Sequence, residues 1–172
     1  MTARLVLRGY AADDFADCAA MWADREVTRF IGQPSTDEQA WARLLRYVGH
    51  WTLLGYGHWA VFERATGAFV GEIGVSDFRR DIAPPIGNHE AGWVLARAMH
   101  GKGYATEALA AVLGWTDANL PGVPTVCMID PANVASLGVA KKNGYEEIGT
   151  RQYHGASVVI LRRAAVQSPA QT

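Results

Sequence analysis

The stretch Asn88–Leu113, NHEAGWVLARAMHGKGYATEALAAVL, decides the fold. Glu90–Leu95 is a short apolar run of strand length. Ala105, Ala108, Leu109, Val112 and Leu113 then recur at the spacing of one helical face. Between the two lies His100-Gly101-Lys102-Gly103-Tyr104-Ala105, whose glycines let the backbone turn with no Cβ in the way. A loop that opens a helix in this way points unpaired N–H groups, and the positive end of the helix dipole, at one spot. Such a spot takes an anion, and phosphate or pyrophosphate is the usual guest. The plain alternative is a strand-to-helix turn that uses glycine only for its shape.

Nucleotide-binding patterns fit poorly. There is no G-x-x-x-x-G-K-[ST], and no G-x-G-x-x-G followed about 20 residues later by a ribose-binding acid. The stretch instead resembles the acetyl-coenzyme A loop of the GNAT superfamily of N-acetyltransferases, Q/R-x-x-G-x-G/A, with His100, Gly103 and Ala105 at its fixed positions. His100 departs from the commoner Gln or Arg. The run Gly101–Ala108 is most similar to the branch that includes the RimJ/RimL-type ribosomal-protein acetyltransferases.

Working outward, Arg4–Arg8 reads as a strand, and Asp13-Asp14 starts a helix with Phe15, Cys18, Ala19 and Trp22 on one face. Thr28–Pro34 is a connector. Ser35 with Glu38 predicts a capping box for a second helix, with Trp41, Leu44, Leu45 and Val48 as its buried stripe. His58–Glu63 and Ala68–Val75 read as a hairpin, and Asp77–Gly87 as a loop. Beyond the opening stretch come a buried strand Thr125–Ile129, a helix Asn133–Lys142 closed by Asn143-Gly144, and a hairpin of Tyr145–Gln152 with Ala156–Arg162. The order is β-αα-βββ-α-β-α-ββ. It predicts an α/β fold with a mostly antiparallel twisted sheet of about seven strands and about four flanking helices, as the resemblance implies for residues 3–162. Gly144-Tyr145 resembles the family's closing G-F/Y, and Trp59, Gly71 and Gly74 sit where related sequences carry similar residues. One domain is expected over 1–172, with 164–172 a disordered tail.

Composition narrows the function classes. Hydrophobic residues make up 49% and charged residues 19% of the 172, which excludes a disordered chain. A net charge of −1 argues against a broad nucleic-acid surface. No apolar run approaches the roughly 20 residues of a membrane span. The start MTARLVLRGY has no signal-peptide architecture, so a cytoplasmic protein is expected. Cys18 and Cys127 form no disulfide framework, and the five histidines show no metal-ligand spacing.

The resemblance implies acetyl-coenzyme A as co-substrate and an amine as acceptor. Backbone amides across His100, Gly101, Lys102, Gly103, Tyr104, Ala105 and Thr106 would hold the pyrophosphate, with Lys102 adding a cation. A backbone N–H near Leu95 would polarise the thioester carbonyl where the strand splays from Thr125–Ile129. Glu90, in Glu90-Ala91-Gly92-Trp93, matches the glutamate of the related E-x-G-Y/W pattern, which accepts the amine proton, often through water. His89 is a weaker competitor, since an adjacent strand residue faces the other way. Asn133 would bind the pantetheine amide and Ser136 would sit near the sulfur, although N-x-x-S is equally an ordinary helix cap. Where many relatives carry a thiolate-protonating tyrosine, four residues before the closing glycine, this chain has Ala140, leaving Ser136, a water or no group at all for that role. Arg79, Arg80 and Asp81 read as a solvated loop, and Trp51, Tyr56 and His58 as the border of the acceptor pocket.

The resulting expectation is direct acetyl transfer, in a ternary complex, to a protein N-terminus or a small amine. Neither cysteine sits in a nucleophile motif. The competing expectation is an acyl-coenzyme A-binding module without turnover. Monomer and homodimer are both compatible with the sequence.

Overall fold

The computed structural model describes residues 1–87 and 89–166. Its centre is a seven-stranded sheet in the order β1-β2-β3-β4-β5-β7-β6. The strands are β1 (Leu5–Arg8), β2 (His58–Glu63), β3 (Phe69–Ser76), β4 (Glu90–Leu95), β5 (Thr125–Ile129), β6 (Glu146–Tyr153) and β7 (Ala156–Arg163). Every neighbouring pair is antiparallel except β4 and β5. The helices are α1 (Phe15–Ala23), α2 (Arg25–Thr28), α3 (Asp37–Leu54), α4 (Tyr104–Asn119) and α5 (Val134–Lys142), with 3₁₀ turns at Ala12–Asp14 and Arg97–Met99. The single-turn α2 lies just ahead of the expected connector, and the 3₁₀ turn at Arg97–Met99 precedes the glycine loop. Both are too short to leave a periodic signature. Part of the expected tail, 167–172, lies outside the described residues.

The sheet divides the core in two. Ile73, Val75, Ala91, Cys127 and Leu161 pack against Leu109, Val112 and Leu113 of α4 and Ala140 of α5. On the other face Cys18, Met21 and Trp22 of α1 lie against Phe69 and Val94. A third cluster sits under the 77–87 loop, where Ile82 meets Val158 and Ile160.

Helix α3 corrects two expectations. Its capping box is Thr36 with Gln39: the Gln39 N–H donates to Thr36 Oγ1 (3.3 Å), and the Thr36 N–H donates to Gln39 Oε1 (3.0 Å). Ser35 is diverted by tertiary contacts: its N–H donates to the Trp22 carbonyl (2.9 Å) and its Oγ accepts from Arg43 Nη1 (3.2 Å). The inward stripe is Ala40, Leu44 and Tyr47, whereas Trp41, Leu45 and Val48 are exposed. Two apolar stripes offset by about one residue run along this helix, and periodicity cannot choose between them. Ala40 lets the helix approach the sheet, and Tyr47 carries a hydroxyl that a buried carboxylate requires.

Candidate active site

Strands β4 and β5 are paired at one register position only, Glu90↔Val126. There the Val126 N–H donates to the His89 carbonyl (3.0 Å), while farther along the Ala96 N–H donates to Val70 on β3 (2.9 Å). Alternate residues of a strand present their polar groups to alternate edges. Ala91, Trp93 and Leu95 therefore face β5, and beyond Val126 the strands diverge, leaving the Trp93 and Leu95 N–H groups without a strand partner. The wedge is a ready slot for an extended ligand that brings its own amides, with donors for a carbonyl oxygen.

At the wide end of the wedge stands the glycine loop. Gly101 and Gly103 have φ of 75° and 79°, left-handed values that glycine adopts without strain. Gly103 is the N-cap of α4 and supplies no side-chain cap; the first intrahelical bond runs from the Glu107 N–H to the Gly103 carbonyl (3.1 Å). The N–H groups of Tyr104, Ala105 and Thr106 thus lie ahead of the ladder, at the positive end of a 16-residue helix. The side chain of Tyr104 is buried with its hydroxyl on Glu63, so only its backbone faces an anion. The His100 ring folds back onto the Leu95 carbonyl (Nε2···O 2.9 Å), closing the base of the loop over the wedge. Lys102 is exposed, with Nζ 3.5 Å from Met99 Sδ.

The narrow end holds Glu90. It is 7% exposed, and Arg80 grips both carboxylate oxygens at 2.6 Å through Nε and Nη2. Arg80 Nη1 also donates to the Tyr153 hydroxyl (3.1 Å), and the guanidinium lies 4.7 Å from the Phe78 ring centroid. Arg80 is therefore no solvated loop residue, in contrast to the sequence expectation; Arg79 is, paired at the surface with Asp77. The contact joins residues ten positions apart with no regular spacing between them, which is why the sequence pattern does not reveal it. His89 faces the opposite side and packs on Tyr56, with ring centroids 5.1 Å apart.

Beside Glu90 on the same face is a row of buried polar groups. His58 Nδ1 lies 2.9 Å from Ser76 Oγ, and its ring stacks on Tyr47. Its Nε2 would be 3.2 Å from a Cβ at position 92, so Gly92 makes the room for the imidazole. Burial holds the His58 pKa down at about 3, and the ring is neutral. Glu72, 1% exposed, accepts from the Tyr10 hydroxyl (2.8 Å), Trp22 Nε1 (3.2 Å) and the Tyr47 hydroxyl (2.5 Å). Burial raises its pKa against the opposing effect of those donors. An apolar-flanked glutamate in a strand, as in Gly71-Glu72-Ile73, was the only sequence signal of this cage.

Asn133 and Ser136 lie across the wedge at the start of α5. The Ser136 N–H donates to Asn133 Oδ1 (3.1 Å), so the pair does form the helix cap and leaves the Asn133 amide nitrogen for another acceptor. Ala140 is fully buried against the core. Both thiols are buried, and burial pushes Cys18 up to about 12 and raises Cys127 as well, so neither is ionised. Among the described residues no group of three or more His, Cys, Asp or Glu side chains could hold a metal ion, and no helix is long and apolar enough to cross a membrane.

Known proteins share this fold. A Bordetella pertussis protein assigned to the GnaT acetyltransferase family is 31% identical, with a TM-score of 0.85 over 95% of this chain and 98% of its own. The uncharacterized N-acetyltransferase p20 of Bacillus licheniformis is 26% identical over 160 residues, 90% of this chain and 86% of that protein. A GNAT superfamily phosphinothricin acetyltransferase from Sinorhizobium meliloti, solved in complex with acetyl-coenzyme A, shares the fold at 20% identity and a TM-score of 0.72, over 100% of this chain and 93% of that one. The family model of the acetyltransferase (GNAT) domain matches residues 4–146. The chain belongs to the GNAT acetyltransferase family.

Proposed function

We propose that this protein is a cytoplasmic N-acetyltransferase, one domain of the RimJ/RimL-type branch, that transfers an acetyl group from acetyl-coenzyme A directly to a primary amine of a protein N-terminus or a small molecule. The observation that carries this reading is the wedge between β4 and β5 opening onto the uncapped N-terminus of α4. A pantetheine arm can lie in such a wedge while the pyrophosphate meets the N–H groups of Gly101–Thr106. The co-substrate supplies an acetyl thioester. The chain supplies the amides that hold it, the Asn133 amide nitrogen along the arm, and the Trp93 and Leu95 N–H groups toward the carbonyl oxygen. A donor aimed at the developing oxyanion contributes about 2.7–4 kcal/mol.

The acceptor approaches from the Glu90 face. A carboxylate has about four lone-pair positions and the Arg80 fork occupies two, so Glu90 still accepts from an ammonium or a bridging water. Its fixed negative charge favours the cationic amine at the site, and the proton leaves along that contact. Ser136 or a water returns a proton to the thiolate, which is already a tolerable leaving group with a free-thiol pKa of about 8.5.

Two measurements test the proposal. Coenzyme A at a hundred times its dissociation constant should stabilise the fold by about 2.7 kcal/mol, a clear rise in melting temperature that NAD does not produce. Glu90→Gln should lower kcat by about 100-fold in a thiol-release assay while leaving that rise intact. A wild-type protein that binds coenzyme A but acetylates no amine would instead make it a binding module.

A further inference from the structure

Residues 2–4, about a hundred positions ahead of the glycine loop, are tied into its base. Glu107, in the first turn of α4, has one carboxylate oxygen bound by Thr2 Oγ1 (2.5 Å) and the Arg4 N–H (2.9 Å), and the other by Arg4 Nε (2.6 Å). Arg4 Nη1 donates to the Lys102 carbonyl (2.9 Å), in the middle of the loop. The same guanidinium lies over the Tyr104 ring at 4.7 Å, and its Nη2 is 3.5 Å from where a Cβ of Gly103 would stand. Lys102, Tyr104 and the carboxylate one turn into the helix therefore all touch this one side chain, which stands beside Gly103.

The electrostatics give the contact a purpose. A negative side chain in the first turn of a helix is ordinarily favourable, because it answers the dipole. Here the same helix end is offered to a multiply charged anion, and an unscreened Glu107 carboxylate would repel it. The Glu107 side chain is 20% exposed and that of Arg4 48%, so the pair is partly open to solvent beside the loop. We propose that Arg4 is a positioning residue for the coenzyme: it cancels the Glu107 charge beside the anion site and clamps the loop through the Lys102 carbonyl. This rests on the coenzyme reading given above. It predicts that Arg4 sets coenzyme affinity and leaves the acetyl-transfer step alone.

The test uses the full chain as wild type, Arg4→Met, Arg4→Lys, Glu107→Gln and the double variant Arg4→Met/Glu107→Gln. Melting is measured with and without coenzyme A, together with KM for acetyl-coenzyme A and kcat in thiol release. Arg4→Met should weaken coenzyme binding and raise KM about tenfold, with kcat within about twofold of wild type, and added salt should narrow the gap. The double variant should recover most of the lost affinity, because the repelling carboxylate is gone even though the tie is still broken. Arg4→Lys should keep most of the affinity through its charge, and Glu107→Gln alone should bind coenzyme at least as tightly as wild type. A double variant no better than Arg4→Met, or an Arg4→Lys as weak as Arg4→Met, would reduce the contact to a structural tie and overturn the inference. So would an Arg4→Met that binds like wild type or loses kcat in step with affinity. If wild type itself ignores coenzyme A, the functional reading fails and takes this inference with it.

Discussion

At the scale of single residues, the face of the sheet that carries Glu90 is polar where a protein interior is ordinarily apolar. Glu72 is reconciled with burial by three donors, and His58 by remaining uncharged over Gly92. The histidine has a measurable consequence. Its folded pKa of about 3 lies below its ordinary value near 6.5, so between these values the unfolded chain binds the extra proton. Its contribution to stability is therefore complete above about pH 6.5 and is lost as the pH falls towards 3. One such group gives a slope of at most about 1.4 kcal/mol per pH unit. Urea unfolding of His58→Gln between pH 4 and 6 should show a shallower pH dependence than wild type; equal slopes would mean that His58 is protonated in the fold. His50 and His89, also depressed by burial, and the lowered carboxylates of Asp14, Glu63 and Glu107 contribute to the slope that persists in the variant, while the raised Glu72 opposes it.

At the scale of elements, β4, the glycine loop and α4 form a unit in which each part leaves something open. The strand has an edge without pairing and the helix has a start without a cap, and the two openings adjoin. Most helices close their N-terminus with a side chain, as α3 does with Thr36. Thr36→Ala should cost about 1 kcal/mol in chemical denaturation, whereas Ser35→Ala should cost clearly less, because Ser35 lies outside the capping box. The reverse ranking would place the cap where the spacing Ser35–Glu38 suggested. The two serine/threonine candidates stand side by side in sequence. Which one caps is set by where α1 holds the chain, since the Ser35 N–H is claimed by Trp22.

At the scale of the whole molecule, the 77–87 loop ties the two halves of the sheet together. Arg80 links β4 to the end of β6 through Glu90 and Tyr153, and Ile82 seats on β7. Breaking a largely buried ion pair from one side leaves the other charge uncompensated. With the Arg80 side chain 27% exposed and solvent discounting part of the loss, Arg80→Met should destabilise by about 2 kcal/mol. Adding Glu90→Gln should restore some of that, because the stranded carboxylate is removed. A double variant less stable than Arg80→Met would show instead that Glu90 contributes to the fold independently of the pair.

The sequence by itself determined the strands, the glycine loop, α4 and the direction of the chain through them. These elements are dictated locally, by apolar period, by glycines at positive φ and by proline or asparagine at the breaks. The same local logic singled out the 100–106 loop as an anion site, whereas Glu90 and Asn133 are pointed to by the family resemblance. The resemblance adds the identity of the ligand that such a loop takes. Only the tertiary structure decided which stripe of α3 turns inward, that Thr36 and not Ser35 caps it, that Arg80 grips Glu90, and that Arg4 reaches Glu107. Each of these depends on what a distant segment offers. A buried carboxylate chooses Tyr47 over Val48, and a charge finds its partner across the fold, at separations where sequence periodicity carries no information.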